Sequence, residues 1–337
     1  MAELSAMVHN ADIDPIVIED LTKKFGEFTA VDSINFTVNK EEIFGLLGPN
    51  GAGKTTVIKI LVTLMKPTSG RARVAGYDVV KDSHLVRKNI GIVFQEPTLD
   101  VELTARENLD FHARLYGIGR VKREERIEEV LELVELSDRA NEVVKNFSGG
   151  MQRRLEIARG LIHFPTVLFL DEPTLGLDVQ TRRRIWDYMS EMSKREGITT
   201  ILTTHYIEEA EKLCDRVAVV DVGKIIAIDT PENLKKRIGG DIISLRVEEG
   251  SAKLKQKLNE LKGVKTITSF DGGIELNMER GDERIPEIIS ISQSTGVEIG
   301  SVSMRKPTLE DVFIKLTGRK IREGGEPAKP WMRRRAI

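Results

Sequence analysis

Hydrophobic positions in the first half of the chain fall into two recurring patterns, short apolar runs of strand length and longer stretches with helical spacing. Residues 34–38 alternate, 42–47 are apolar, and 55–64 carry the spacing of a helix. Further strands are predicted at 90–94, 167–170, 199–203 and 217–222. The run Val167-Leu168-Phe169-Leu170 does not alternate, as expected of a strand covered on both faces. Strands and helices taking turns in this way predict an α/β domain. Between Leu103 and Asn146 the strand signal disappears. There Ile127, Val130, Leu131 and Val134 fall at i, i+3, i+4 and i+7, while Glu128, Glu132 and Glu135 occupy another face. A helical insertion over about residues 100–160 is expected, its acidic run a solvated face rather than a metal site.

Beyond Gly239-Gly240 the pattern changes. Ile243, Leu245 and Val247 alternate as in a strand, 252–261 reads as a helix and 264–270 as a strand. Asp271-Gly272-Gly273 is a turn signal, followed by a strand at 274–278, a helix at 283–293 and a strand at 297–304. The order β-α-β-β-α-β is that of a ferredoxin-like α+β unit. A last helix at 308–316 precedes the end segment. The expected organisation is therefore a larger domain over 1–238, a small one over 241–318 and a tail over 319–337.

Composition narrows the function classes. The 337 residues carry 51 Lys or Arg and 53 Asp or Glu, a formal charge of −2. That balance argues against a protein whose main task is coating nucleic acid, and no nucleic-acid partner is expected. The charge is uneven, because residues 319–337 hold seven basic and two acidic side chains, a local +5. No apolar run approaches the roughly 20 residues that span a bilayer. Residues 1–20 contain acids and no continuous apolar stretch, which argues against a secretory signal. The single cysteine, Cys214, excludes an internal disulfide framework, suits a reducing compartment and is expected to pack as a small apolar residue.

The first site signal is Gly48-Pro49-Asn50-Gly51-Ala52-Gly53-Lys54-Thr55, which matches the phosphate loop pattern G-x-x-x-x-G-K-[ST]. It follows a predicted strand and opens a predicted helix, the context in which backbone N–H groups and a helix N-terminus can face phosphate oxygens. Lys54 is expected to bridge the β- and γ-phosphates and Thr55 to offer a hydroxyl to Mg²⁺. Asp171-Glu172 emerges from the apolar strand at its C-terminal end, where open parallel sheets bind ligands. Asp171 suits holding Mg²⁺ through water, and Glu172 suits polarising a water for attack on the γ-phosphate. Ser148-Gly149-Gly150 opens another helix whose apolar stripe runs through Met151, Leu155, Ala158 and Ile162, with Arg153, Arg154 and Arg159 off it. A Ser-Gly-Gly helix start is a second anion-binding arrangement, weak when taken alone.

Taken in order, these motifs resemble the ATP-binding-cassette (ABC) ATPases over about residues 16–238. In that resemblance 48–56, including Thr56, corresponds to Walker A, Gln95 to the Q-loop and Ser148-Gly149-Gly150 to the signature. Residues 167–171 correspond to Walker B, Glu172 to the catalytic glutamate, Gly176-Leu177-Asp178 to the D-loop and His205 to the switch histidine. Phe25 falls at the aromatic position that stacks on adenine, where Tyr is commoner, and Met151 stands where Gln is commoner. The resemblance implies a P-loop cassette with a mixed sheet and a helical signature subdomain. It implies ATP and Mg²⁺ as cofactors, with Gln95 sensing the ion, His205 contacting the γ-phosphate and Asp178 communicating across a dimer. It also implies a second copy of the chain, because the P-loop of one copy and the signature of another enclose each ATP. His9, His84, His112 and His163 show no metal-ligand spacing.

The segments 307–313 and 316–318 resemble the daunorubicin-resistance type of exporter ATPase. That resemblance implies multidrug export through a separate integral-membrane permease, and residence at the cytoplasmic face of the membrane. The small domain could stabilise the dimer, regulate it or bind an effector, the first being preferred. The alternative is a non-transport cassette of translation or DNA maintenance. Such relatives carry two cassettes in one chain or a long inserted coiled coil, and this sequence has neither. Trp331-Met332-Arg333-Arg334-Arg335 reads as a solvated tail, with attraction to an anionic leaflet or the permease as the sharper alternative.

Overall fold

The computed structural model describes residues 14–247, 251–270 and 272–318. The start of the chain, Asp271 of the expected turn and the basic end segment with Trp331–Arg335 lie outside the described residues. The described chain forms two units that divide between Asp229 and Thr230.

The first unit holds two sheets. Five strands of the larger one are parallel: β3 (Ile43–Leu47), β6 (Ile90–Val93), β7 (Val167–Asp171), β8 (Thr199–Thr204) and β9 (Arg216–Asp221). A sixth, β10 (Lys224–Asp229), returns antiparallel beside β9, and the order is β10-β9-β3-β8-β7-β6. The sheet is therefore mixed, as expected. β3 and β7 are buried along their whole length, which explains why their sequences do not alternate.

The second sheet is antiparallel, and only residues 34–38 of it were anticipated from the sequence. It contains β1 (Ile16–Phe25), β2 (Phe28–Val38), β4 (Ser69–Val74) and the short β5 (Tyr77–Asp78) in the order β2-β1-β4-β5. Register shifts interrupt β1 against both neighbours, and Asp20 and Ser33 adopt positive φ. Each bulge changes which face the next residue takes, so the period-2 signal of β1 is erased. The helix α1 (Lys54–Leu61) packs on β2 and β4 of this sheet and on β7 of the other. Its Val57, Ile58, Ile60 and Leu61 join Phe44, Phe169 and Ile16 in one core.

The helical insertion contains α3 (Ala105–Leu115), α4 (Arg120–Leu133) and α5 (Gly149–Leu161). Thr104 and Glu107 form a reciprocal capping box at the start of α3. On α4 the stripe Ile127, Val130 and Leu131 is buried, while Glu128 and Glu132, and Glu135 just past the helix, are exposed. Before the insertion lies α2 (Ser83–Asn89); after β7 come α6 (Val179–Glu196) and α7 (Ile207–Leu213). The α5 helix lies against β6, and a Cβ added at Gly91 would stand 2.2 Å from the Gly160 carbonyl oxygen. Only glycine allows α5 that close to the sheet. Cys214 is buried, as expected for a small apolar residue.

A ring cluster joins α3 to the end of α5. Tyr116 stacks on His163 with centroids 3.7 Å apart, and His112 lies 5.2 Å from Tyr116. The His163 Nε2–H donates to the Ile90 carbonyl (2.9 Å). Burial pushes both imidazoles down to about 4, with Arg159 and His163 facing His112 and Arg126 facing His163.

The second unit begins with α8 (Pro231–Ile238), so the glycine pair expected at the boundary lies inside it. The reason is packing: α8 lies along α11 (Leu309–Thr317), with Leu234, Ile238, Val312 and Phe313 buried and Lys315 Nζ donating to the Arg237 carbonyl (3.2 Å). Between these helices run β11 (Asp241–Val247), α9 (Ser251–Leu258), β12 (Val264–Phe270), β13 (Gly273–Met278), α10 (Gly281–Thr295) and β14 (Ile299–Arg305). The sheet order is β12-β13-β11-β14 with every pairing antiparallel, the split β-α-β topology read from the sequence. Ile243, Leu245, Leu254, Leu258, Leu276 and Ile288 form its core.

Two outcomes follow from this packing. Gly91→Ala should force α5 away from β6 and cost about 1–3 kcal/mol, read as a lowered Tm by calorimetry. His112 and His163 have folded-state values near 4 against 6.5 unfolded, so between those pH values the unfolded chain binds more protons. Stability should therefore fall as pH drops from about 6.5 to about 4. A His112→Phe/His163→Gln variant should show a flatter Tm profile across that window.

Candidate functional site

The loop between β3 and α1 turns on Gly53, which caps α1 with φ +105°. A Cβ there would meet the Ala30 carbonyl oxygen at 2.4 Å, so both conformation and space demand glycine. The Gly48 N–H donates to the Thr204 carbonyl (3.2 Å), tying the loop to the end of β8. Lys54 is only 5% exposed. Its Nζ donates to the carbonyls of Gly48 (2.7 Å) and Pro49 (3.2 Å) and lies 3.4 Å from Glu172 Oε1. Burial pushes the Lys54 ammonium below its ordinary value, and the Glu172 carboxylate is the main opposing influence.

Because β7 and β8 are parallel neighbours, Asp171 falls opposite Thr203. Asp171 Oδ1 accepts from Thr203 Oγ1 (2.5 Å) and from Thr55 Oγ1 at the start of α1 (3.2 Å). Glu172 takes a positive φ of 50°, and its N–H is shared between the Thr203 carbonyl (3.2 Å) and hydroxyl (3.0 Å). Its Oε2 lies 2.7 Å from Nδ1 of His205, which follows β8 and is buried. The Glu172 carboxylate is thus divided between an ammonium and an imidazole.

A cleft of about 440 Å³ is lined by Asn50, Gly51, Ala52, Gly53, Lys54, Thr55 and Thr56 with Gln95, Glu172 and His205. Phe25 and Phe28 form its other wall. They face each other across the two-residue turn between β1 and β2, both about half exposed, with Lys23 Nζ 5.2 Å from the centre of the Phe25 ring. The structure therefore brings together Phe25, the phosphate loop, Gln95, Glu172 and His205, with Asp171 joined through Thr55.

Ser148, Gly149, Gly150 and Asp178 do not line that cleft. Ser148 caps α5, its hydroxyl accepting from the Met151 N–H (3.3 Å). Ser148 and Gly150 border a separate cavity of about 600 Å³ with Arg154, Thr181 and Tyr188. Asp178 caps α6 at the surface, accepting from the Gln180 and Thr181 N–H groups and the Thr181 hydroxyl. The Thr181 hydroxyl holds its carboxyl below the usual value.

Several supporting residues escaped the sequence reading. Phe28 could have been found, since two aromatics around a Gly26-Glu27 turn are a hairpin signal. The roles of Thr203, Arg153 and Glu156 could not, because apart from the Arg153–Glu156 pair itself their partners are distant in sequence. Glu209 on α7 is fully buried, its Oε1 accepting from the Thr174 hydroxyl (2.7 Å) and the Trp186 indole N–H (2.8 Å). Burial raises its carboxyl pKa.

A loop of backbone donors with a buried lysine, a carboxylate pair at the end of a parallel strand and a histidine against the second carboxylate define a P-loop nucleotide-binding cassette. The chain belongs to the ABC transporter family, as an ATP-binding subunit. The family model for the ABC transporter domain matches residues 31–175, and that for the C-terminal domain of DrrA1-3-like ATP-binding proteins matches 230–317. The chain is 40% identical to the daunorubicin resistance ATP-binding protein DrrA3 of Streptomyces coeruleorubidus, over 91% of this chain and 98% of that one. It is 38% identical to the linearmycin resistance ATP-binding protein LnrL of Bacillus subtilis, over 90% and 99% respectively. Among solved structures, cbiO1 from Clostridium perfringens, part of the ABC transporter complex cbiONQ, is similar with a TM-score of 0.63 at 29% identity. That match covers 67% of this chain and 93% of the other. The ATP-binding cassette MJ0796, in a dimeric post-hydrolysis state bound to ADP and Pi, is similar with a TM-score of 0.57 at 29% identity, covering 64% and 98%. Among the described residues no helix is long and apolar enough to cross a membrane.

Proposed function

We propose that this chain hydrolyses ATP as a homodimer to drive export of a drug-like or lipid-like compound through a separate membrane permease, sitting at the cytoplasmic face through that permease. The observation that carries the dimer is the separation just described: the cleft gathers Phe25, residues 50–56, Gln95, Glu172 and His205, while the signature and Asp178 lie outside it. A second copy supplying Ser148, Gly149, Gly150 and Asp178 would complete the ring of donors around the triphosphate. Export is supported by the relatives, whose names speak of daunorubicin and linearmycin resistance and, in Rhizobium etli, of Nod factor export. No observation favours the translation or DNA-maintenance alternative.

Within each site, Phe25 and Phe28 stack on adenine, and the backbone of Gly48, Pro49, Asn50, Gly51, Ala52 and Gly53 with Thr56 cradles the phosphates. Lys54 exchanges its loop carbonyls for β- and γ-phosphate oxygens. Thr55, Asp171 and Gln95 would hold Mg²⁺; their oxygens are the hard donors it prefers, and Thr55 and Asp171 already meet at 3.2 Å. When bound, that ion supplies neutralisation of the charge shared between the phosphates. Glu172 accepts the proton of the attacking water, oriented by His205 from behind and by its pinned backbone. His205 also reaches the γ-phosphate, so loss of phosphate reaches β8 directly.

Glu172→Gln keeps the shape of the side chain and removes its basicity. The variant should lose turnover by about 10² or more while still binding ATP, and should elute as an ATP-dependent dimer in size exclusion. Wild-type turnover in that variant would sink the general-base assignment. The permease reading predicts that the tagged wild-type chain, expressed in its own cells, sediments with membranes and is released by detergent together with an integral-membrane protein. Recovery entirely in the soluble fraction would count against it.

A further inference from the structure

Arg153 lies one turn into α5 and is 7% exposed, with no nucleotide motif assigned to it. All three guanidinium nitrogens are engaged. Nε donates to the Pro173 carbonyl (2.6 Å), Nη1 to the Phe94 carbonyl (2.6 Å) and to Glu156 Oε2 (2.7 Å). Nη2 donates to the carbonyls of Asp171 and Glu172, each at 3.3 Å. Glu156, one turn further and 3% exposed, uses its other oxygen to accept the Thr98 N–H (2.8 Å). Arg159, another turn on, donates to the Thr98 carbonyl (2.7 Å) and to the Thr98 hydroxyl. One face of α5 therefore grips the chain immediately before Gln95, again three residues after it, and along the backbone of Asp171, Glu172 and Pro173.

A buried ion pair is weak evidence for stability, since apolar side chains of similar volume often pack as well. What a guanidinium supplies that a hydrocarbon cannot is a rigid planar fork with donors aimed at fixed points. Those points are informative. Glu172 sits at positive φ, a conformation that persists only where its surroundings hold it. Thr203 holds its N–H side and Arg153 its carbonyl. The helix that carries Arg153 is the one whose first turn is Ser148-Gly149-Gly150.

We propose that Arg153, braced by Glu156, is the positioning residue through which the signature helix sets the geometry of Gln95 and Glu172 in the same chain. This rests on the dimeric reading above. A nucleotide of the partner copy held at the start of α5 fixes the helix, and the fork carries that position to the base and the Q-loop of the chain's own site. The two ATP sites are thereby coupled through α5 within each subunit, and the coupling is positional. Arg153 touches no substrate.

The test uses the full-length chain, comparing Arg153→Lys and the double variant Arg153→Met/Glu156→Leu with wild type. The lysine keeps the charge against Glu156 but has no fork; the double variant removes both buried charges together, avoiding an orphaned one. The measurements are Tm, ATP binding, and ATPase rate against ATP concentration with magnesium present. With Tm and KM for ATP within about twofold of wild type, kcat should fall about tenfold or more, and the Hill coefficient for ATP should drop towards 1 in both variants. Wild-type kcat and cooperativity in either folded variant overturn the proposal. A loss of kcat that merely tracks a lowered Tm overturns it as well, reducing Arg153 to packing. An inactive or strictly monomeric wild type brings down the dimeric ATPase reading itself, which an active wild type with an equally active variant does not.

Discussion

Lys54 brings an ammonium into a place that is 5% exposed, and the surrounding fold supplies it with partners there. Two loop carbonyls accept from it and the Glu172 carboxylate lies 3.4 Å away. Such a charge needs partners in fixed positions, because an uncompensated one would cost several kcal/mol. The partners come from beyond the ends of two parallel strands, β3 and β7, which flank β8 in the sheet. Moving any of them would strand a charge, so the strand order of the sheet and the electrostatics of the site are one requirement.

From that constraint the wiring extends outwards. Glu172 is shared with His205, Asp171 is held by Thr203 and Thr55, and the Glu172 backbone is held on both sides. Glu209 ties the helix after His205 to Thr174 and Trp186. The same carboxylates that neutralise the lysine are those proposed to handle Mg²⁺ and water, which ties the stabilising network to the proposed chemistry. A substitution at this edge therefore acts on structure and turnover together, unless the geometry of the replaced group is kept.

The P-loop, the Asp171-Glu172 pair and the α5 stripe were legible because each depends on residue types at short, fixed spacing. The buried parallel strands were legible for a related reason, since a strand covered on both faces reads as an unbroken apolar run. Of the β1–β2–β4–β5 sheet only residues 34–38 were. Its bulges at Asp20 and Ser33 shift the side chains of β1 out of alternation. The boundary of the second unit was misplaced for a different reason. Gly239-Gly240 is a turn signal, but α8 before it is held by packing on α11, some seventy residues later.

By itself the sequence determined which groups could meet a triphosphate: a flexible backbone loop, a lysine, hydroxyls, two carboxylates, a histidine and an aromatic ring. It also implied a second copy of the chain to bring the signature, through a likeness of ordered motifs rather than any distance. Only the tertiary structure decided that Phe28 joins Phe25, that Thr203 organises the carboxylates and that Arg153 grips the Q-loop and the Glu172 backbone. The physical reason is that a motif is local, whereas a buried polar group is satisfied by whatever the fold brings within 3 Å. Arg153 finds carbonyls from two distant stretches of chain, at Phe94 and along Asp171, Glu172 and Pro173, and no spacing along the sequence records that meeting.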